Sequence, residues 1–191
     1  MALLSRTHNR RSLAARFALA ACTLLAVFVQ PASAQKARID ELKAAFVFQF
    51  ANYVQWPDES FKDKSAPIII GIVKNEAMTK TLSAAVRGKI VGDRGIQVVD
   101  IADEKAAETC HILYIDSADD EKVDNFLALV RSKPILTVSD DDNFTSEGGV
   151  IRLFELDSKL RIEINVDEAE RSGLTISSKL LSLAQVVRDK T

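Results

Sequence analysis

The chain predicts an α/β fold, with a mostly parallel sheet, helices on both faces and an antiparallel hairpin near its C-terminus. Three observations carry this reading. The apolar pattern switches repeatedly between a helical period and short strand-length runs. Turn-forming residues, among them Pro67, Gly88, Gly92, Gly95 and Pro134, fall between those runs. Two late runs, 150–155 and 160–165, are separated by four residues that include Asp157 and Ser158, which is hairpin spacing.

Ile39, Leu42, Phe46, Phe50 and Tyr53 recur at spacings of three and four. They predict one face of a helix that stops at Trp56-Pro57. Pro67 introduces a first strand over 68–73. Met78, Leu82 and Val86 line the next helix, and Gly88 with the 92–95 turn breaks the chain before a strand over 96–99. A helical turn at 103–107 leads to a strand over 112–115. Asp119 can cap a helix that buries Val123, Phe126, Leu127 and Val130, and Pro134 delivers the chain into a strand over 135–138. A polar loop, 139–149, precedes the hairpin. Asn165 can cap a short helix that Gly173 ends, and Ser177 can cap a last helix burying Leu180, Leu181, Ala184 and Val187. The alternation gives a Rossmann-like sheet extended by the hairpin, with a strand order that the pattern leaves open.

The first 34 residues read as a secretory signal peptide. Arg6, Arg10, Arg11 and Arg16 make a positive start, 17–29 form an apolar core, and Ala32-Ser33-Ala34 offers a small-x-small cleavage site, so cleavage is expected after Ala34. That core is shorter than the roughly 20 residues a membrane span needs, and no direct membrane insertion of the mature protein is expected. Leu19-Ala20-Ala21-Cys22 also reads as a lipoprotein box, but only five apolar residues separate Arg16 from Cys22. Cleavage leaves 157 residues, expected to form a single domain over 35–191, with 21 Lys and Arg against 27 Asp and Glu. That net negative charge, with basic residues scattered singly, argues against nucleic acid as a partner. Cys110 remains as the one cysteine of the mature part, so no intrachain disulfide is expected.

Enzyme-like motifs fail one by one. Asp140-Asp141-Asp142-Asn143 lacks the alternating acids, glycine and closing glutamate of an EF-type calcium loop. Asp116 stands just after the third strand, where a phosphorylated receiver carries its acceptor, but Lys74-Asn75 stand where such a site needs acids to hold magnesium. His111 is the sole histidine after residue 34, which removes the usual zinc set and leaves a serine triad without an elbow motif. No glycine-rich phosphate loop follows the first strand. Neither a cofactor nor a metal is expected.

The segment Leu42 to Pro57, reading LKAAFVFQFANYVQWP, is similar to the opening helix and Trp-Pro stop of the YfiR-like family. Cys110 to Ile115, Pro134 to Asp140, Gly148 to Ile151 and the terminal run from Arg161 through Leu181 resemble that family's central strand, fourth strand, following loop and C-terminal end. The resemblance implies a periplasmic protein that is not an enzyme. It would bind and repress the sensor domain of an inner-membrane diguanylate cyclase, lowering cyclic di-GMP, and be released by an OmpA-like outer-membrane lipoprotein. It also implies homodimers, and in some members cysteine pairs. Gly71 stands where relatives often place the partner of the Cys110 equivalent, so disulfide control is not expected in this chain.

Arg161, Glu163 and Asn165 alternate with Ile162 and Ile164, which puts the three polar residues on one strand face. As an exposed hairpin edge, that face is the expected partner-binding site, with Phe144 and Phe154 as apolar contacts. Asn165 has a capping role of its own, whereas Arg161 and Glu163 have no evident structural duty. An alternative function is a periplasmic sensor domain that binds a small ligand at the carboxyl ends of its strands and acts on another membrane signalling protein.

Overall fold

A computed structural model of the chain describes residues 32–116 and 120–189. Helix α1 (Ala32–Phe50) is followed by the two-residue strand β1 (Val54–Gln55), a 3-10 turn at Asp58–Ser60, and β2 (Ile68–Val73). Then come α2 (Glu76–Val86), β3 (Ile90–Val91), β4 (Arg94–Ile101), α3 (Glu104–Ala107), β5 (Ile112–Ile115), α4 (Asp120–Val130) and β6 (Leu136–Ser139). The C-terminal part holds β7 (Ile151–Leu156), β8 (Lys159–Asn165), α5 (Val166–Arg171), β9 (Thr175–Ile176), α6 (Ser178–Leu181) and β10 (Gln185–Val187). Residues 38–191 make one compact unit.

Among the described residues the main sheet has the order β10-β8-β7-β6-β5-β2-β4-β3. Strands β4, β2, β5, β6 and β7 pair in parallel, so the chain starts in the middle, steps outward to β4 and then crosses back over β2. This is the second-first-third-fourth-fifth order of one common doubly wound sheet. Strands β2 and β5 at its centre are apolar on both faces because helices cover both. Ile70, Ile72, Ile112, Tyr114 and Val138 pack with Ala44, Val47 and Phe50 of α1 and with Met78, Leu82 and Val86 of α2. On the other face Val73, Leu113 and Ile115 pack with Val123, Phe126, Leu127 and Val130 of α4. Gly71 belongs to that second face. A Cβ there would stand 2.5 Å from Cys110 Sγ and 2.8 Å from Ile101, so only glycine fits between them.

Several expectations shift. The buried face of α1 is Ala44, Val47 and Phe50, while Leu42 is 43% exposed and Phe46 half-buried. Apolar residues surround this helix, and the small Ala44 wins the close approach that the larger side chains cannot make. The strand expected at 96–99 runs longer, over 94–101. The hairpin connection is tighter than the four residues expected. Leu156 still pairs with Lys159, and Asp157 and Ser158 turn the chain with φ of 52° and 57°, the doubly positive pattern of a type I′ turn. The expected last helix is one turn long, Ser178–Leu181, after which the chain adds β10 in parallel to β8. Leu180 is buried as expected, but Ala184 and Val187 are half-buried and neither lies in a helix. The leader, apart from the helical backbone of 32–34, lies outside the described residues, as do Cys22 and the capping residue Asp119.

Candidate functional site, the polar face of the C-terminal strands

Beyond β6 the sheet changes character. Ile151, Leu153, Ile162 and Ile164 of β7 and β8 join the core shared with α1. The intervening residues, Arg152, Phe154, Arg161, Glu163 and Asn165, therefore face the opposite way, since side chains alternate along a strand. The hairpin register sets Arg152 across from Glu163 and Phe154 across from Arg161.

Loop 140–149 folds over the inner part of this face. Phe144 drops into the core with no exposed surface, and its ring lies where a Cβ on Gly149 would stand, 2.3 Å away, so Gly149 makes room for it. Thr145 follows and donates its hydroxyl to Glu163 Oε1 at 2.5 Å. Gln185 Nε2, from β10, donates to the other oxygen at 3.0 Å, and Arg152 Nη1 stands 3.7 Å away. Glu163 is thus satisfied from three directions. Arg152 also pairs with Asp142 at 2.5 Å and lies over the Phe154 ring at 4.7 Å, while its buried Nε has no hydrogen-bond partner.

Asn165 joins the pieces. Its Oδ1 accepts from the Glu168 amide at 3.1 Å and caps α5, while its Nδ2 donates to Thr145 O at 2.9 Å and to Asp189 Oδ1 at 2.8 Å. Arg171 reaches Glu168 at 2.5 Å and also pairs with Asp189. Hydrogen bonds that it donates to Asp189, then Glu168, hold the Arg171 guanidinium more firmly protonated than usual, and hydrogen bonds accepted from Arg171, then Asn165, hold the Asp189 carboxyl below its usual range. These groups line an open cleft of about 930 Å³ with Arg131 at its edge. Charged groups of both signs converge on this cleft.

The expected site residues separate. Arg161 is exposed and Phe154 half-buried, both at the surface of the hairpin. Glu163 and Asn165 are 8% and 2% exposed, because β10 pairs with β8 and the expected edge is not an edge. Glu163 therefore has a structural duty, contrary to expectation. Phe144 is core and offers no surface to a partner. Arg152, Gln185 and Arg171 went unanticipated, although Arg152 is legible once the hairpin register is set, since it falls opposite Glu163. At the carboxyl ends of β2 and β5, Asn75 Nδ2 donates to Asp116, so an amide stands where a receiver domain would use a metal-binding acid.

The profile of the YfiR/HmsC-like family matches residues 40–185, from within α1 to the first residue of β10. The chain belongs to the YfiR/HmsC-like family. A comparison with curated proteins returns no match. The family consists of periplasmic regulators of cyclic di-GMP signalling, regulatory rather than catalytic. Among the described residues no helix is long and apolar enough to cross a membrane.

Proposed function

We propose that the protein is a periplasmic repressor that docks on the outward-facing sensor domain of an inner-membrane diguanylate cyclase and so lowers cyclic di-GMP. Family membership across residues 40–185 carries this reading. The polar C-terminal face supports it, because that is where the fold departs from close apolar packing and presents charge. In this reading the exposed Arg161 and the adjoining Phe154 touch the cyclase, while Glu163 and Asn165 hold the strand and its loop in the docking shape. Export by a leader cleaved after Ala34, a single domain over 35–191, release by an OmpA-like outer-membrane lipoprotein and a homodimeric state complete the proposal. Calorimetry between the exported chain and the periplasmic domain of the cyclase encoded nearest to it tests docking. Saturable binding that Arg161→Glu weakens at least tenfold is expected, and no heat at micromolar concentrations with a folded cyclase domain rejects the pairing.

A second reading is favoured by the cleft itself, whose 930 Å³ and convergent charged groups would accept a small polar metabolite. Such a ligand would act on partner binding rather than replace it. A thermal-shift screen of amino acids and nucleotides separates the two. Stabilisation lost in Glu163→Gln supports a ligand in the cleft, and a flat screen leaves docking alone.

A further inference from the structure

Residues 57–66 form a strap across the amino-terminal ends of β2, β4 and β5. Their own backbone hydrogen bonds are local, from Ser60 to Pro57, Phe61 to Asp58 and Ala66 to Asp63. What ties the strap down is side-chain contact with three residues. Arg94 Nη1 donates to Asp63 O at 2.9 Å and Ala66 O at 2.7 Å, and its guanidinium lies 3.7 Å from the Phe61 ring centre. Phe61 stacks on the His111 imidazole, with ring centres 4.4 Å apart and planes 18° from parallel. Trp56, just before the strap, meets the same imidazole edge-on at 6.2 Å and donates Nε1 to His111 O at 3.0 Å.

The imidazole makes two hydrogen bonds of opposite sense. Nδ1 accepts the Ile69 amide of β2 at 3.1 Å, and Nε2 faces Ser60 O at 3.1 Å, a contact that requires Nε2 to donate. The neutral ring with its proton on Nε2 satisfies both. A second proton can go only to Nδ1, where it would point at the Ile69 N–H, donor against donor.

We propose that the strap is a pH latch, closed by neutral His111 and released when Nδ1 takes up a proton. The Ile69 conflict forces the ring to turn, and turning gives up the Ser60 bond and the Phe61 stack together. Release also loosens the chain entering from β1, which pairs with β9, so the change passes to the segment between α5 and α6. The surroundings oppose the charged ring. Arg94 comes from β4 as a second positive charge, while β2 meets the ring through the Ile69 amide and β6 reaches the residue through the Leu136 amide, which donates to His111 O. On the strap, Asp63 is occupied by the Ser65 amide and hydroxyl at 2.8 and 2.7 Å, and Asp58, Glu59, Lys62 and Lys64 complete its charged groups. Burial, with Arg94, holds the His111 pKa below the usual histidine value of about 6.5. The latch contribution to stability is therefore complete above that value and is lost as the pH falls below it, through the folded-state pKa.

Trp56 is the chain's one tryptophan and reports on the latch directly. Its emission should change with a midpoint below about pH 6.5 and stay flat over the same range in His111→Gln. Amide exchange supplies a second readout that does not need the variant to fold. Relative to the β5 amides at the same pH, the Ile69 amide and those of Ser60 and Phe61 should exchange at least fivefold faster below the midpoint of that fluorescence change than at pH 7.5. Long-range nitrogen NMR of the unaltered protein should find Nδ1 bare at pH 7.5. An Nδ1-protonated tautomer there, an exchange ratio that does not move, or the same fluorescence titration in His111→Gln would overturn the latch.

Discussion

The two ends of the sheet solve different problems. Around β2 and β5 both strand faces are apolar and both are covered, so Ile70, Ile72, Leu113 and Ile115 are buried against helices on either side. At β7 and β8 only one face is treated that way. The other carries Arg152, Glu163 and Asn165, buried or nearly so, of which Glu163 and Asn165 are satisfied by hydrogen bonds from a loop, a neighbouring strand and a helix end. Apolar burial near about 25 cal/mol per Å² is the cheaper way to hold a sheet, since a buried charge must first recover its lost hydration. A face that forgoes it gives up stability, and it is on this face that the docking proposal rests.

Four changes sharpen or break that contrast. Phe144→Ala empties a fully buried site beneath the polar loop, and an expected loss of about 3–5 kcal/mol in urea unfolding would mark it as packing. A loss below about 1 kcal/mol would return Phe144 to the surface. Gly71→Val probes the apolar end, where the added atoms meet Cys110 and Ile101, and should cost about 1–3 kcal/mol by the same assay. Asn165→Ala removes the α5 cap and the ties to Thr145 and Asp189, for an expected loss of about 1–2 kcal/mol and faster amide exchange at Glu168. Arg161→Glu should leave the melting curve within about 0.5 kcal/mol, because the residue is exposed, and should act on docking alone.

The parallel half was largely legible from sequence because apolar runs of Ile, Leu and Val bounded by Pro and Gly leave few alternatives. Strand β2 runs over the expected residues, and the caps at Asn165 and Ser177 are both made. Helix α1 misled because apolar residues surround it, so spacing selects no single face. The chain end misled for another reason. Leu180, Leu181, Ala184 and Val187 fit a helical period, yet the open side of β8 captures Gln185–Val187 as a strand, a long-range pairing that no local pattern encodes. That same pairing buries Glu163, which is why its role could not be read from the hairpin alone. Cys110 illustrates the opposite case. Its place at the head of an apolar run is visible in the sequence, and burial there raises its thiol pKa to about 11.

The central claim is repression of a membrane cyclase through the hairpin surface, and cellular cyclic di-GMP measures it most directly. Deleting the gene should raise the nucleotide, restoring the chain should lower it, and restoring Arg161→Glu at equal periplasmic abundance should leave it high. Unchanged cyclic di-GMP on deletion would contradict repression, and full rescue by Arg161→Glu would move the docking surface away from the hairpin.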